Sequence, residues 1–364
     1  MAFKFWNSES SKTKPQKSVL RQWSDAVMFA VVFATLIRWS TFEAFAIPSS
    51  SMEKTLLTGD YLFVSKLHYG TRIPLTPVQV PLTHQTIWGT NIPSYSDVIQ
   101  LPYYRLPGFS EVRRNDLVVF NHPNEAARPV DLKTDLIKRC VGVAGDTITI
   151  RHKQVYLNGK AVENPGDLQF SYFIKTDKVL SQTFFHKQDI TDVYLAQGGY
   201  IVYTLPEKAA FIRSLDFVQG VTLLEAKHGE AEPGIFPGRP GTFSWNKDNF
   251  GPLYIPKAGA TVAITPQILP LYEKVILTYE HNQNAEIREG KLFINGKEVN
   301  QYTFKQNYYF MMGDNRHNSN DSRYWGFVPE EYLIGKAVFV WMSVDSSATF
   351  PNKIRWNRLL HTID

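Results

Sequence analysis

Near the start of the chain, an apolar segment precedes a long stretch in which polar and apolar residues alternate. Residues 26–37 carry no charged side chain, but a segment of this length is too short to span a bilayer. Extending it to Ile47 admits only Arg38 and Glu43 and gives roughly 33 Å of helix at about 1.5 Å per residue. We therefore predict a transmembrane anchor over residues 19–46, with Arg38 snorkelling towards the headgroups.

The same segment also has the features of a cleavable signal peptide. Basic residues precede a short apolar core, and Ala44-Phe45-Ala46 matches an A-x-A cleavage site. In either interpretation the excess of Lys and Arg predicts that a basic tail, residues 1–18, stays in the cytoplasm while the bulk of the chain crosses the membrane. The basic residues are Lys4, Lys12, Lys14, Lys17 and Arg21.

Beyond the apolar segment, short runs of β-branched and aromatic residues alternate with turn residues, which is typical of β-strands. Asn158-Gly159 after an apolar run indicates a tight hairpin. Residues 287–299 repeat the pattern of residues 150–162, so we predict a duplicated hairpin inside one β-domain. The principal strands are predicted at 61–67, 116–120, 136–141, 147–151, 308–312 and 336–342.

The order of these patterns predicts the domain organisation. The β-domain would have a first part, 47–165, and a second part, 290–345, followed by a C-terminal tail, 346–364. Residues 166–289 would form an insertion or non-catalytic subdomain between the two parts, with a helix near 266–279. Residues 70–113, dense in Pro, Tyr and Thr, predict an extended loop or ribbon. Its aromatic side chains could rest on lipid headgroups or pack on the sheet.

Composition narrows the function classes. The chain has 364 residues, 43% of them hydrophobic, which is ample for a packed core. Its net charge of +5 comes largely from the basic residues at the start of the chain, so nucleic-acid binding is not expected. Cys140 is the only cysteine, which excludes an internal disulfide and a cysteine-based zinc cluster.

Ser51, at the exit of the apolar segment, is a candidate nucleophile that needs a base. No histidine of the chain lies in a recognisable triad context, which leaves a neutral lysine as the base. Lys54 completes an S-x-x-K motif of the kind found in penicillin-recognising enzymes, but a turn at residues 58–60 leaves no room for the long helix of that motif. Lys138 lies on an apolar strand, where burial would lower its pKa.

The combination of blocks resembles bacterial type I signal peptidase. The blocks are I-P-S-S-S-M (residues 47–52), R-N-D-L-V-V-F (114–120), I-K-R-C-V-G-V-A-G-D (137–146) and G-D-N-R-H-N-S-N-D-S-R-Y-W-G-F-V-P (313–329). The resemblance implies an all-β, largely antiparallel fold with one transmembrane helix. It implies a serine protease that uses a Ser/Lys dyad and no cofactor, and that cleaves signal peptides from exported preproteins.

Site residues follow from the resemblance by position. It implies that Ser51 is the nucleophile, Lys138 the general base and Ser49 a contributor to the oxyanion hole. Ser319 would hydrogen-bond the lysine, and Asp321 and Arg323 would brace that loop. The pockets for the residues one and three before the scissile bond would be lined by Phe45, Ile47, Met52, Asp135 and Ile137.

The sequence departs from the family pattern at three positions: Lys54 replaces a proline, Asn115 a glycine and His317 an aspartate. An imidazole at position 317 could add a titration near neutral pH. The resemblance favours retention of the N-terminal anchor in the cytoplasmic membrane, with the catalytic domain on the outer face. The expected partners are preprotein signal peptides, membrane lipid and the neighbouring secretion translocon. A penicillin-recognising enzyme and a non-enzymatic membrane scaffold remain the alternatives.

Overall fold

A long exposed helix leads into the folded body of the protein. The computed structural model describes residues 18–363, so the predicted basic tail lies, apart from Ser18, outside the described residues. Helix α1 (Val19–Ser40) has 22 residues, none of them buried. Among residues 18–363, α1 is the one helix long and apolar enough to cross a membrane.

The predicted anchor, residues 19–46, is wrong at its C-terminal end. The helix stops at Ser40, and the chain continues as strand β1 (Phe42–Ala46), which pairs antiparallel with β2 (Asp60–Ser65). Beyond the end of the helix, the carboxylate of Glu43 forms ion pairs with Arg38 (2.6 Å) and Lys66 (2.8 Å). The two charges that a spanning helix would have to tolerate therefore form an ion pair at the end of the helix.

The remainder of the chain is built mainly of short strands. The next nine are β3 (Leu117–Asn121), β4 (Asp135–Gly142), β5 (Thr147–Arg151), β6 (Gln154–Leu157), β7 (Lys160–Ala161), β8 (Phe170–Lys175), β9 (Val193–Ala196), β10 (Gly199–Thr204) and β11 (Gly220–Leu223). The last ten are β12 (Phe250–Tyr254), β13 (Thr261–Ala263), β14 (Ala285–Arg288), β15 (Lys291–Ile294), β16 (Lys297–Glu298), β17 (Gln301–Thr303), β18 (Tyr308–Met312), β19 (Val328–Pro329), β20 (Leu333–Ser343) and β21 (His361–Thr362).

Short helices connect some of these strands. They are α2 (Gln182–Lys187), α3 (Pro206–Arg213), α4 (Leu269–Lys274), which continues into a π-helix (Val275–Tyr279), and α5 (Ser322–Trp325). The helix predicted near 266–279 is therefore confirmed.

The largest sheet has the strand order β1-β2-β20-β3-β4-β18-β19, with β21 added beside β20. Every pair in it is antiparallel, which confirms the predicted fold class. Both faces of the sheet are covered, as β3 illustrates. Val118 and Phe120 point into a large core that this sheet shares with the smaller sheets. Leu117 and Val119 point into a second core beneath β1 and β2. This alternation follows from the period of two along a strand.

The duplicated hairpin is confirmed at both places. Residues 158–159 turn β6 into β7, and Asn295-Gly296 turns β15 into β16. Asn158 and Gly159 have φ values of +52° and +79°, and the second pair adopts the same left-handed conformation. A two-residue turn of this kind needs positive φ at both positions, which Asn and Gly tolerate best.

The predicted insertion, residues 166–289, divides into two parts. Residues 168–223, here called the inserted unit, form the sheet β11-β8-β10-β9 with α2 and α3 around a separate apolar core. Residues from 235 onward rejoin the main core, where Leu253, Tyr272 and Ile276 are buried. The predicted boundary at 289 is therefore too late, because β12 already pairs with β5 of the first hairpin.

Residues 70–113 form an irregular ribbon, as predicted, with isolated bridges such as Arg72 to Arg105. The ribbon is tied to α1, because the indole of Trp39 donates a hydrogen bond to the Arg72 carbonyl oxygen (3.1 Å). Trp88 and Phe109 are 72% and 81% exposed, so they do not pack on the sheet. The predicted C-terminal tail folds back as β21, and Arg358 in it binds the carboxylate of Asp60 (2.6 Å).

Candidate active site

Ser51 lies on a short 3-10 helix (Ser50–Met52) in the connection between β1 and β2. Backbone hydrogen bonds close this connection at its base, from Ile47 to the Asp60 carbonyl oxygen (2.8 Å) and from Gly59 to the Ile47 carbonyl oxygen (2.9 Å). Met52 is only 1% exposed and anchors the turn in the core beneath the sheet. The turn therefore holds Ser51 at a fixed position beside the sheet.

Lys138 reaches Ser51 from strand β4. Its Nζ lies 2.7 Å from Oγ of Ser51 and 2.9 Å from the carbonyl oxygen of Ile137. Lys138 is 4% exposed, and this burial lowers the pKa of its amine to about 8 against partial compensation by Asp321 and Asp314. The neutral form of such an amine, which a general base requires, makes up about a tenth of the population at pH 7 and about half at pH 8.

Arg139, the next residue on β4, points to the opposite side and acts as a structural charge. Its guanidinium binds the carboxylate of Asp314 through Nε (2.9 Å) and Nη2 (2.7 Å). The alternation along β4 thus separates a base from a fixed cation. The arrangement agrees with the faces predicted for the strand.

The loop that follows β18 closes the site from the other side. Asp321 binds Arg323 through both carboxylate oxygens, at 2.8 Å and 2.7 Å, and accepts a hydrogen bond from the Gly313 backbone N–H (3.1 Å). Arg323 also donates to the carbonyl oxygen of Arg316 (2.6 Å). This buried ion pair links both ends of the loop, which is the geometry expected of bracing residues.

Ser319 does not make its predicted contact. Its Oγ is buried, yet it has no hydrogen-bond partner among the described residues, so the bond to Lys138 is not formed. Instead, Lys138 uses Ile137 and Ser51 as its partners. The backbone of Ser51 and the side chain of Ser319 both lie against Gly313, so the serine is adjacent to the site.

A small cleft of about 70 Å³ opens directly in front of the two catalytic candidates. Phe45 and Ile47 contribute the β1 side, and Ile137 contributes the β4 side. The structure brings together all five predicted pocket residues, including Met52 and Asp135. The sequence did not identify the remaining wall of the cleft, which consists of Ala46, Pro48, Leu62, Val119 and Leu136.

Two further polar groups line this cleft. Ser49 is an exposed residue in extended conformation immediately before the 3-10 helix. Asp135 is held by the side-chain amide of Asn121 (2.9 Å), and burial raises the pKa of its carboxyl to about 6. The cleft is thus apolar apart from a few groups near Ser51.

Lys54 cannot serve as the base of an S-x-x-K motif. The 3-10 helix ends at Met52, and Lys54 has a left-handed φ of +76°, so the two residues do not share a helix face. The Lys54 amine instead binds Asp189, at 2.6 Å to the carbonyl oxygen and 2.8 Å to the carboxylate.

The environment of His317 does not favour the titration near neutral pH that the sequence suggested. Its side chain is fully buried, with Nε2 2.8 Å from the carboxylate of Asp248. Nδ1 accepts a hydrogen bond from the Ser171 backbone N–H (3.1 Å), which requires that nitrogen to be unprotonated. Burial lowers the pKa of the imidazole despite the carboxylate of Asp248. His317 therefore joins the loop to the inserted unit as a neutral side chain.

Within residues 18–363, the base in contact with Ser51 is a buried lysine beside an apolar cleft, which defines a serine hydrolase with a lysine in place of histidine. Comparison with known proteins agrees. The family model described as signal peptidase, peptidase S26, matches residues 20–204 and 272–342. The chain belongs to the signal peptidase family, peptidase S26.

Curated relatives match over most of their length. Signal peptidase I of Buchnera aphidicola subsp. Schizaphis graminum is 30% identical over 349 residues, which cover 91% of this chain and 77% of the relative. Signal peptidase I of Haemophilus influenzae is 26% identical over 345 residues, with 92% and 73% covered. That of Pseudomonas aeruginosa is 26% identical over 333 residues, with 86% and 70% covered.

Proposed function

We propose that this protein is a membrane-anchored serine endopeptidase that removes N-terminal signal peptides from exported preproteins and cleaves after small residues of the A-x-A type. The observation that carries the proposal is the 2.7 Å contact between Oγ of Ser51 and the buried amine of Lys138. A second observation supports it, since the cleft lies immediately after the apolar helix α1 in the chain.

In the proposed mechanism the neutral amine of Lys138 takes the hydroxyl proton of Ser51 as the oxygen attacks the scissile carbonyl. The resulting ammonium then gives the proton to the departing amine, which leaves an acyl ester on Ser51. A water molecule, deprotonated by the same lysine, hydrolyses the ester. Ser49 and the Ser51 backbone N–H stabilise the oxyanion in both steps.

The loop residues support this chemistry indirectly. Asp321 and Arg323 keep the loop in place against Ser51. Ser319 is proposed to orient the lysine amine once substrate is bound, because its hydroxyl lies unpaired beside the site within the described part of the chain.

The shape of the cleft accounts for the proposed preference for small residues. Phe45, Ile47, Met52 and Ile137 leave shallow apolar space next to Ser51, which suits alanine side chains one and three positions before the cleaved bond. Asp135 also lines this cleft.

The protein is proposed to lie in the cytoplasmic membrane with the catalytic domain on the outer face, close to the translocon from which its substrates emerge. The excess of Lys and Arg before α1 supports this orientation. The ribbon, tied to the end of α1, is proposed to rest on the lipid headgroups through exposed side chains such as Trp88 and Phe109.

Cleavage of a preprotein by the purified protein in detergent tests the mechanism. We expect Ser51→Ala and Lys138→Ala to reduce the rate by at least about a thousandfold, because either change removes a partner of the dyad. Lys54→Ala is the matched control and should keep the parental rate, since Lys54 binds Asp189 instead. Undiminished cleavage by either dyad variant would refute the assignment.

Protease protection tests the orientation. In intact spheroplasts, added protease should degrade the catalytic domain, whereas in inverted membrane vesicles the domain should be protected. The reverse pattern would place the domain in the cytoplasm.

A further inference from the structure

The inserted unit directly contacts the loop that follows β18, residues 313–321, here called the catalytic loop. The backbone N–H of Gln169 donates to the carbonyl oxygen of Asp314 (3.0 Å), and Arg316 N–H donates to the carbonyl oxygen of Gln169 (2.9 Å). A second part of the inserted unit, the connection between α2 and β9, also reaches this loop. Asp192, immediately before β9, is the acidic residue of that connection that reaches the loop.

The Asp192 carboxylate accepts hydrogen bonds from two asparagine side chains of the catalytic loop. Its Oδ2 lies 2.9 Å from Nδ2 of Asn318 and 3.4 Å from Nδ2 of Asn315. Because a carboxylate only accepts hydrogen bonds, it turns the NH₂ group of each amide, and not the carbonyl oxygen, towards the same point. Charge-assisted bonds of this kind are stronger than neutral ones.

The same two NH₂ groups hold the residue before the nucleophile. Asn315 donates to the carbonyl oxygen of Ser50 (3.1 Å), and Asn318 donates to the Ser50 hydroxyl (3.3 Å). In addition, the backbone N–H of Asn315 donates to the carbonyl oxygen of Ser51 (3.2 Å). With the Asn315 amide reversed, its oxygen would face the Ser50 carbonyl oxygen, which can only accept, and that hydrogen bond would be lost.

We propose that Asp192 is a positioning residue for the nucleophile, through which the inserted unit fixes the turn that carries Ser51. This inference rests on the proposed function, since it concerns the same serine. Asp192 itself touches neither Ser51 nor Lys138 in the hydrogen bonds of the site; it acts through Asn315 and Asn318. The inserted unit therefore contributes to catalysis without lining the cleft.

Steady-state cleavage of a preprotein by the full-length protein in detergent tests this role. We expect Asp192→Ala to lower kcat by about ten- to a hundredfold, because a small displacement of a nucleophile costs that much. KM and the pH midpoint of kcat should stay unchanged, since the cleft and the surroundings of Lys138 are intact. Asp192→Asn, which keeps an acceptor oxygen, should recover part of the loss.

Asp189→Ala is the matched control, because Asp189 is in the same connection but binds Lys54 and not the two asparagines. It should keep kcat within about twofold of the parent. Asn318→Ala should lower kcat, and combining it with Asp192→Ala should add little, because both changes break one clamp.

A kcat within twofold of the parent for Asp192→Ala, or a rise in KM in place of the fall in kcat, would overturn the proposal. If Asp192→Ala does not fold, Asp192→Asn and Asn318→Ala test the proposal in its place. A parental kcat in both of these variants would also overturn the proposal. The proposed function is tested separately. It stands if the parent protein cleaves the preprotein and Ser51→Ala does not, whatever the result for Asp192→Ala.

Discussion

The protonation state of one residue, Lys138, sets the pH at which the site can work. Only its neutral form accepts the proton of Ser51, and burial brings the pKa of its amine to about 8. We therefore expect kcat to rise between pH 7 and pH 9 by close to an order of magnitude and then to level off. A pH profile of kcat for preprotein cleavage measures this, and a rate that fell over that range would contradict a lysine base.

The same burial should lower the stability of the protein at neutral pH. The pKa of Lys138 falls from 10.5 in the unfolded chain to about 8. The unfolded state therefore binds the proton more tightly than the folded state. The resulting loss of folding stability is full below about pH 8 and disappears as the pH rises to 10.5. Replacing the amine by an apolar group should raise the free energy of unfolding at neutral pH by about 3 kcal/mol at most.

We predict that Lys138→Met, which keeps the apolar stem, unfolds at a higher temperature than the parent at pH 7. The gain should be smaller at pH 10. Thermal unfolding in detergent at both pH values measures it, with Lys54→Met as control because Lys54 is already paired. An equal gain at both pH values would argue against a desolvated charge.

At the level of elements, the end of β18 approaches the nucleophile turn closely enough to require glycine. A Cβ added at Gly313 would lie 2.5 Å from the carbonyl oxygen of Ser51. Gly313→Ala should therefore displace the turn and lower kcat by about a hundredfold. Gly166→Ala is the control, because nothing lies within 4 Å of a Cβ there. Parental kcat for Gly313→Ala would show that the turn can yield without loss.

Strand periodicity explains which parts of the site could be predicted. Alternation along β4 predicted Lys138 and Arg139 on opposite faces, and in the structure they contact different partners, Ser51 and Asp314, where β4 pairs with β3 in unbroken register. The end of α1 could not be read in the same way, since Arg38 and Glu43 are tolerable in a helix until the pairing of β1 with β2 is known. Asp192 had no local motif, because its partners lie more than 120 residues away in the chain.

For the whole molecule, the inserted unit shows the limit of reading boundaries from sequence. Its core is separate from the main one, yet the chain returns to the main core well before the second hairpin. A stretch rich in Gly and Pro, residues 229–241, accompanies that return, but the pairing of β12 with β5 is what shows that the chain has rejoined the main β-structure. His317 and Asp192 then join the unit to the catalytic loop across this boundary.

In the proposed membrane-anchored arrangement, the path from α1 to Ser51 limits the distance between the nucleophile and the end of the helix. Ser51 follows the last helical residue, Ser40, by eleven positions, so it can lie no farther than about 40 Å from the end of the helix. Because β1 occupies five of those positions as a paired strand, the reach is rigid. In that proposed arrangement, we expect a substrate whose own apolar segment is embedded in the same bilayer to be cleaved only where its scissile bond comes within this distance of the membrane end of α1. Spacing along the substrate then selects the cleavage point alongside the side chains that fit the cleft.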